Sequence, residues 1–420
     1  MATPPARRRG MSMRLSALSC CALLAGCVQV NVHGDPDQYM TRTSTLRVAS
    51  YNASLYSDEA GGLLRRLQSD DADARKVAAV LQRVRPDVVL VNEFDHDASG
   101  RAADAFQRGY LEVPQAGGGA ALRYPYRYMA PVNTGVPSGL DLDRSGHVGA
   151  AAPVPGEDAA AARGRGNDAW GYGLHPGQYG MLLLSMHPID AEAARTFQLL
   201  PWSALPGAAR PVDPDTGAPW HDDATWARLR LSSKSHWDVP VRTPLGTVHM
   251  LASHPTPPVF DGPEDRNGAR NHDEIRLWNE YIGVGDKPWL CDDAGRCGGL
   301  AEEARFVILG DLNNDPADGD GRHEAIVELL QHPRVLRMAT PRSAGAAHAP
   351  GADRPGRRGS VAHATGDFGP RVGPLRLDYA LPSTGFRMLE SAVFWPAPGE
   401  DGADIVDGSD HRLVWVDLAN

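Results

Sequence analysis

The order of apolar and polar residues in this 420-residue chain predicts a mixed α/β fold. Short apolar runs typical of buried strands recur from residue 46 onward, and the first two enclose a segment with helical spacing. The composition, 42% hydrophobic and 22% charged residues, is that of a globular protein with one large or two medium domains. The 45 Gly and 34 Pro residues indicate many loops.

The first 26 residues are predicted to be an export signal, outside the fold. Four arginines precede an apolar run at 15–25 that is too short to cross a bilayer as a helix. The run ends in LAGC, residues 24–27, which resembles a bacterial lipobox, in which the cysteine becomes the lipidated first residue. We therefore expect a lipid anchor on Cys27 as the membrane contact, with an ordinary secretory signal as the alternative. Val28 at the next position favours the outer membrane, so the expected location is the cell envelope, facing the periplasm.

The net charge is acidic. Removing the first 26 residues leaves 38 basic against 52 acidic residues, a net charge of −14. A protein this acidic has no general attraction to polyanions, so nucleic acid is an allowed partner but not the favoured one. A phosphoester substrate would instead be held locally, together with a metal ion. The sequence indicates no protein partner.

Two cysteines besides Cys27 remain after removal of the signal, Cys291 and Cys297. In an exported protein this closely spaced pair predicts a small loop-closing disulfide. Half of a zinc site is the alternative, but no second Cys or His pair follows at suitable spacing.

The predicted elements begin after a polar tether at 27–45 and belong to one domain, 46–420. LRVASYN (46–52) is a strand pattern, and a helix is expected from about Asp70 to Val84, where apolar residues recur every three or four positions. DVVLVNE (87–93) is a second strand. A loop-rich insertion is expected at about 111–178. The later strands and helices are expected at 179–189, 248–254, 274–282, 306–311, 323–331, 375–382 and 411–418.

Polar residues stand where several of these strands end. Asn52, Glu93, His254 and Asp311 each follow an apolar run, Asp378 lies inside one, and Asp410 with His411 precedes the last. Strands that end together bring such side chains together, which is where open α/β sheets build their sites.

The types of these residues indicate metal-assisted hydrolysis. Carboxylate and amide oxygens without thiolates suit Mg²⁺, with Mn²⁺ or Ca²⁺ as alternatives. Histidine adds proton transfer near neutral pH. A metal with acid and base groups, and no obvious activated Ser or Cys, favours attack by water, most naturally at phosphorus.

The same residues, in this order, resemble the endonuclease/exonuclease/phosphatase superfamily, which includes pancreatic deoxyribonuclease, apurinic endonucleases, inositol-polyphosphate phosphatases and bacterial sphingomyelinases. The resemblance implies a four-layer α/β sandwich, with two mixed sheets packed face to face and helices outside. The matching segments are SYNAS, VVLVNEFD, YGMLLLS, SHPTPP, ILGDLNNDP, RLDYALP and GSDHRLVWV.

The resemblance also implies a role for each site residue. It implies that Asn52 and Glu93 hold the metal, with Asp410 nearby. It implies that Asp311 orients or deprotonates water, that Asn313 binds the phosphate, and that Asp378 fixes the tautomer of His411. His254 is implied as a candidate general acid, although which histidine is acid and which is base stays open. The site residues that the resemblance implies are therefore Asn52, Glu93, His254, Asp311, Asn313, Asp378, Asp410 and His411.

Secondary features lie beside these motifs. Arg266 and Arg270, expected on a loop after His254, could grip a substrate phosphate or pair with neighbouring surface acids. Three aromatic residues border the insertion and are expected either to line a substrate cleft or to pack in the core. They are Trp170, Tyr172 and Tyr179.

The segment DLDRSGHVG (141–149) is similar to the start of a calcium loop. Ala152 stands where the twelfth-position acid would be, so a polar turn is the favoured interpretation.

The predicted function is a divalent-metal-dependent hydrolase of phosphoric esters, either diesters or monoesters. Two alternatives stay open at this point: an extracytoplasmic nuclease, and a non-catalytic binding module on the same fold. The binding module is disfavoured because the chain retains both histidines and all the expected acids.

Overall fold

A computed structural model describes residues 45–420 of the chain. Its strands form two large sheets and one small two-stranded pair. The strands are β1 Leu46–Leu55, β2 Val88–Phe94, β3 Tyr126–Tyr128, β4 Met181–Ser185, β5 Arg195–Thr196, β6 His236–Thr243, β7 Gly246–Ser253, β8 Arg305–Asp311, β9 Gly366–Asp367, β10 Pro374–Leu375, β11 Asp378–Pro382, β12 Arg387–Val393 and β13 Val414–Ala419.

Both large sheets are mixed. The first has the order β12-β13-β1-β2-β4-β3, with β1 and β2 parallel and the other pairs antiparallel. The second has the order β11-β8-β7-β6-β5, with β7 and β8 parallel. Each parallel pair is joined by a crossover that contains a helix, as parallel strands require.

Eight α-helices lie between the strands in the described part of the chain. The α-helices are α1 Gly62–Gln68, α2 Ala72–Val84, α3 Arg101–Phe106, α4 Ala159–Asn167, α5 Asp223–Trp226, α6 Arg266–Ile282, α7 Glu324–Gln331 and α8 Gly369–Val372. A π-helical segment covers Gln107–Leu111, and short 3₁₀ segments cover Trp202–Ala204, Gly345–His348, Val361–His363 and Val406–Gly408. Within residues 45–420, no helix combines the length and apolarity needed to cross a bilayer.

Alternate residues of the strands build a core on each side of each sheet, because successive side chains point to opposite faces. Val48 and Leu90 of the first sheet pack between the sheets against Trp237 and Met250 of the second. The opposite faces pack against α1, α2 and α3 on one side and against α6 and α7 on the other. The four-layer α/β sandwich expected from the sequence is therefore confirmed.

Several predicted boundaries were wrong. Asn52 lies inside β1, not at its end, because β1 continues to Leu55 past an irregularity in its pairing with β2. Asp378 is the first residue of β11, and His411 precedes β13 by three residues. The segment 111–178 is mostly loop, but β3 adds an edge strand to the first sheet and α4 adds a helix.

The largest difference concerns α6, which begins at Arg266, eight residues before the predicted start. Its first turns bury polar side chains, among them Asn271 and Glu274, and these bond to loop backbone. Buried polar residues leave no apolar periodicity to detect, which is why the sequence indicated a loop there.

Candidate active site

Three predicted site residues surround one carboxylate oxygen, Asp311 Oδ2. Asn52 Nδ2 donates a hydrogen bond to it at 3.1 Å. The Nε2 atoms of His254 and His411 lie 3.5 Å and 3.6 Å from the same oxygen. The four side chains are buried. The structure thus brings together positions 52, 254, 311 and 411, which are far apart in the sequence.

The two sheets meet at this point through a polar bridge. Asp311 is the last residue of β8, and its backbone N–H donates to Asn92 Oδ1 on β2 of the other sheet at 3.1 Å. The Asn92 amide in turn donates to the carbonyl oxygen of Ser253, at the end of β7. Gly310 permits this close approach, since a Cβ there would lie 2.1 Å from the Ser253 oxygen. The site therefore lies where the ends of both sheets meet.

His411 is held by Asp378. Its Nδ1 lies 2.8 Å from Asp378 Oδ2, so the ring turns Nε2 toward Asp311. Burial alone would lower the pKa of His411, but the carboxylates of Asp378 and Asp311 outweigh it and raise that pKa well above its usual value. Burial raises the pKa of Asp378 to about 6, against the opposing charge of His411. Protonation of His411 is therefore favoured by its two carboxylate neighbours.

His254 has the opposite ionisation. Burial lowers the pKa of His254 to about 4, and the charge of Lys234 adds to the effect. Its Nδ1 is buried without a hydrogen-bond partner among the described residues. Burial would raise the pKa of Asp311, but the charge of His411 and hydrogen bonds from His254 and Asn52 lower it below its usual value. Asp311 is therefore an anion between one charged and one neutral histidine.

The predicted metal ligands lie beside this network. Glu93 sits near the end of β2 with a left-handed backbone, φ 56°, an unusual conformation that functional sites often retain. Burial raises the pKa of Glu93 to about 7, and the charges of Asp311 and Asp410 add to the rise, against His411 and a hydrogen bond from Asn52. Asp410 is exposed, and its Oδ1 accepts from Ser54 Oγ at 3.2 Å.

A hard divalent cation fits this donor set. Glu93 is a carboxylate among like charges, and a cation there would favour its ionised form. Carboxylate and amide oxygens are the ligands that Mg²⁺, Mn²⁺ and Ca²⁺ prefer. Asp311, Asp378 and His411 also offer ligand atoms within 4.8 Å of one another. However, His411 Nδ1 already lies 2.8 Å from Asp378 Oδ2, so these three residues form a hydrogen-bond network among themselves.

The remaining predicted phosphate ligands differ in their surroundings. Asn313 has a left-handed backbone, φ 52°, and its Nδ2 donates to the carbonyl oxygen of Pro255 next to His254. Arg266 and Arg270 lie on α6, so their predicted loop placement was wrong. Arg266 pairs with Glu264. The Arg270 guanidinium donates to four backbone carbonyl oxygens, which leaves it in a structural position.

The cysteine predictions fall into two groups. The structure joins Cys291 and Cys297 by a disulfide. Cys27 and the export signal lie outside the described residues.

In the calcium-like loop, Asp141 and Asp143 come together with Asp168. Both Asp168 oxygens already accept backbone N–H groups, from Leu142 and Gly149, so the cluster closes a turn.

Lys234 is a site residue that the sequence reasoning missed. It is 5% exposed, and its amine donates no hydrogen bond to a described residue. Burial lowers the pKa of Lys234, while the charges of Glu274, Glu93 and Asp311 raise it, so the amine lies close to the acids of the site. Lys234 lies two residues before β6, in a stretch that carries no recognisable motif. Because β6 runs antiparallel to β7, residues that precede β6 reach the same edge as His254.

The chain was compared with curated proteins and with solved structures. A comparison with curated proteins gave no match. Among solved structures, an endonuclease/exonuclease/phosphatase from Beutenbergia cavernae DSM 12333 is 18% identical, with a TM-score of 0.46, over 90% of this chain and 72% of that one. Sphingomyelinase C from Streptomyces griseocarneus is 16% identical, with a TM-score of 0.43, over 90% and 99%. Truncated Caenorhabditis elegans TDP2 is 14% identical, with a TM-score of 0.39, over 90% and 98%.

The family comparison covers most of the sequence. The model described as "Endonuclease/Exonuclease/phosphatase family" matches residues 28–411, which include every residue of the site around Asp311. The chain belongs to the endonuclease/exonuclease/phosphatase family.

Proposed function

We propose that this protein hydrolyses phosphoric esters, with water as the nucleophile and a divalent metal ion at Glu93, Asn52 and Asp410. The observation that carries the proposal is the placement of two histidine Nε2 atoms, 3.5 Å and 3.6 Å from one buried aspartate oxygen, with pKa values shifted in opposite directions. Such a pair separates a proton donor from a proton acceptor within one site. Membership of the family supports metal-dependent phosphoester chemistry in general.

In this proposal, Asp311 orients the attacking water and accepts its proton. His254 is neutral, its Nε2–H faces Asp311 Oδ2 at 3.5 Å, and its Nδ1, which has no partner among the described residues, is the ring atom that can accept a proton. His411, kept charged by Asp378, faces the phosphate and supplies a proton to the departing oxygen. This revises the expectation that His254 is the general acid, because His411 is the charged histidine near neutral pH.

Positive groups surround the place proposed for the phosphate. The Lys234 side chain is largely buried and its amine has no hydrogen-bond partner among the described residues, so a ligand that accepts from it would offset part of its desolvation. A phosphate oxygen would be such a partner. Bound at Glu93, a divalent metal would supply further stabilisation of negative charge on the phosphoryl oxygens.

The proposal is tested with purified protein and two synthetic substrates, bis-p-nitrophenyl phosphate and p-nitrophenyl phosphate, in Mg²⁺, Mn²⁺ or Ca²⁺. We expect turnover that EDTA abolishes, and the preferred substrate will separate diester from monoester chemistry. Asp311→Ala should lower kcat/KM by about 10²–10³-fold, whereas the exposed Asp320→Ala should not. Absence of turnover with every metal, or a wild-type rate in Asp311→Ala, would contradict the proposal.

The net charge of the chain supports a small phosphoester over nucleic acid. The nuclease alternative is tested by incubating the protein with plasmid and single-stranded DNA under the same conditions. Cleavage at a rate comparable with bis-p-nitrophenyl phosphate would favour the nuclease.

We also propose that a lipid on Cys27 anchors the protein in the bacterial cell envelope. The apolar run at 15–25 and the LAGC motif support this. In an expressing bacterium, wild-type protein should take up labelled palmitate and sediment with membranes. Cys27→Ser should do neither, and membrane-bound, unlabelled wild-type protein would show that the anchor is of another kind.

A further inference from the structure

A buried threonine hydroxyl lies beside the pair formed by His411 and Asp378. Thr365 immediately precedes β9 and is 1% exposed. Its Oγ1 accepts the backbone N–H groups of Leu377 and Asp378, both at 2.9 Å. The hydroxyl is therefore fixed against the first residue of β11, whose carboxylate holds the His411 ring.

The hydrogen of this hydroxyl needs an acceptor. A threonine oxygen has two lone pairs, and the two backbone N–H groups use both, so the O–H is left to donate. Asp378 Oδ2 lies 2.8 Å from His411 Nδ1, whereas its other oxygen, Oδ1, is buried without a hydrogen-bond partner within residues 45–420. Burial raises the pKa of Asp378 to about 6, and Thr365 is among the groups that lower it. A donor and an acceptor that each need a partner thus belong to neighbouring side chains.

The backbone at Thr365 joins the two segments that carry the pair. Its N–H donates to the carbonyl oxygen of Leu375 at 2.8 Å, and its carbonyl oxygen accepts the N–H of Arg412 at 2.6 Å. The next residue, Gly366, forms an isolated β-bridge with His411. Thr365 therefore fixes the separation between the segment that leads into β11 and the segment that leads into β13.

We propose that Thr365 is a positioning residue whose hydroxyl donates a hydrogen bond to Asp378 Oδ1. The carboxylate is then held on both oxygens, by Thr365 on Oδ1 and by His411 on Oδ2, and cannot rotate. The His411 ring is held in turn, with its Nε2 directed at Asp311 Oδ2, 3.6 Å away. The inference rests on the proposed function for the part that His411 plays in the reaction, whereas the hydrogen bond itself can be tested without any activity.

The hydrogen bond is tested in a crystal structure of the wild-type protein. We expect a distance of about 2.5–3.0 Å between Thr365 Oγ1 and Asp378 Oδ1. A distance above about 3.5 Å, or a water molecule as the only partner of Oδ1, would overturn the inference.

The positioning role is tested with bis-p-nitrophenyl phosphate and two substitutions. Thr365→Val keeps the shape of the side chain and removes the hydroxyl. Because the loss concerns the orientation of His411 and not substrate binding, kcat should fall about 10- to 100-fold, with KM within about twofold of wild type. Thr365→Ser keeps the hydroxyl and should retain kcat within about threefold. Equal losses in both variants, or an unchanged kcat in folded Thr365→Val, would overturn the inference.

Ser383 provides a matched control just beyond the far end of β11. Its buried hydroxyl oxygen also accepts a backbone N–H, from Phe306 at 3.0 Å. Ser383→Ala should therefore lower the melting temperature, as Thr365→Val should, but leave kcat unchanged. A loss of kcat in Ser383→Ala equal to that in Thr365→Val would overturn the inference, because lost stability would then explain both.

A double-mutant cycle tests whether Thr365 acts through Asp378. In the Asp378→Asn protein, His411 has already lost its carboxylate partner, so Thr365→Val should lower kcat by less than about threefold. The same fold-loss as in the wild-type background would overturn the inference, since Thr365 would then act independently of the carboxylate. If the wild-type protein turns over no phosphoester, the proposed function fails, and the distance between Thr365 Oγ1 and Asp378 Oδ1 still supports or overturns the hydrogen bond.

Discussion

Glu93→Gln should stabilise the metal-free protein at alkaline pH while it abolishes activity. The pKa of Glu93 rises from 4.5 to about 7 on folding, chiefly through burial. Ionisation is therefore harder in the folded state than in the unfolded state, so the free energy of unfolding falls as pH rises from 4.5 to 7 and is constant above that range. A rise of this size costs the folded state about 3 kcal/mol at pH 8.

The assay is urea unfolding in EDTA at pH 5 and pH 8. Glutamine keeps the shape of the side chain and removes its charge, so Glu93→Gln should exceed wild type by about 3 kcal/mol at pH 8 and by less than about 1 kcal/mol at pH 5. Glu390→Gln, an exposed change on β12, should match wild type at both pH values. With Mg²⁺ present, wild type should gain stability and the variant should not, because ligand binding stabilises only the state that binds it.

The same Glu93→Gln protein should lose about 10²–10³-fold in kcat/KM toward bis-p-nitrophenyl phosphate. A stability difference between wild type and Glu93→Gln that is equal at pH 5 and pH 8 would refute the reasoning, since it would show that the Glu93 carboxyl titrates alike in both states. Stabilisation of the variant by Mg²⁺ to the wild-type extent would place the metal elsewhere.

Three further predictions follow from single contacts. Asp378→Asn removes the charge that raises the pKa of His411. The alkaline limb of the pH profile of kcat/KM should therefore move to lower pH, and kcat/KM at pH 8 should fall about 10²-fold. Superimposable pH profiles of the variant and wild type would contradict this. Lys234→Met should raise KM about tenfold yet leave the melting temperature equal or higher, because it replaces a largely buried, partly desolvated amine that makes no hydrogen bond with a described residue. A large loss of stability would make Lys234 a structural residue. Gly310→Ala should lower the free energy of unfolding, measured in urea, by at least about 3 kcal/mol, since its Cβ would lie 2.1 Å from a backbone oxygen. Gly164→Ala should not lower it, because there is open space around Gly164.

Much of the fold and site could be predicted because strand ends are visible in a sequence. Apolar runs marked β2, β7 and β8 to within one or two residues, and the polar residues at their ends reach a common edge. Asp311 and His254 were found in this way. The rule works because the apolar pattern along a strand is local. A local pattern can be recognised without knowing which strands are neighbours in the sheet.

Features that depend on pairing between distant segments could not be read. Arg270 carries no mark that its guanidinium bonds to the backbone at 170 and 230–232. Lys234 precedes its strand, and its position at the site follows only from the antiparallel pairing of β6 with β7. Neither relation has a periodic signal, because both arise when the chain folds back on itself.

The two histidines show why residue type alone did not assign acid and base. Both point Nε2 at Asp311 Oδ2, at 3.5 Å and 3.6 Å, and both are buried. Burial lowers the pKa of each, so burial cannot distinguish them. The difference comes from their other neighbours: His411 has the Asp378 carboxylate on Nδ1, whereas His254 has no partner on Nδ1 and lies near the charge of Lys234. In the proposed mechanism, the division of roles is therefore set by one acid and one amine outside the pair, and exchanging those neighbours, not the histidines, should exchange donor and acceptor.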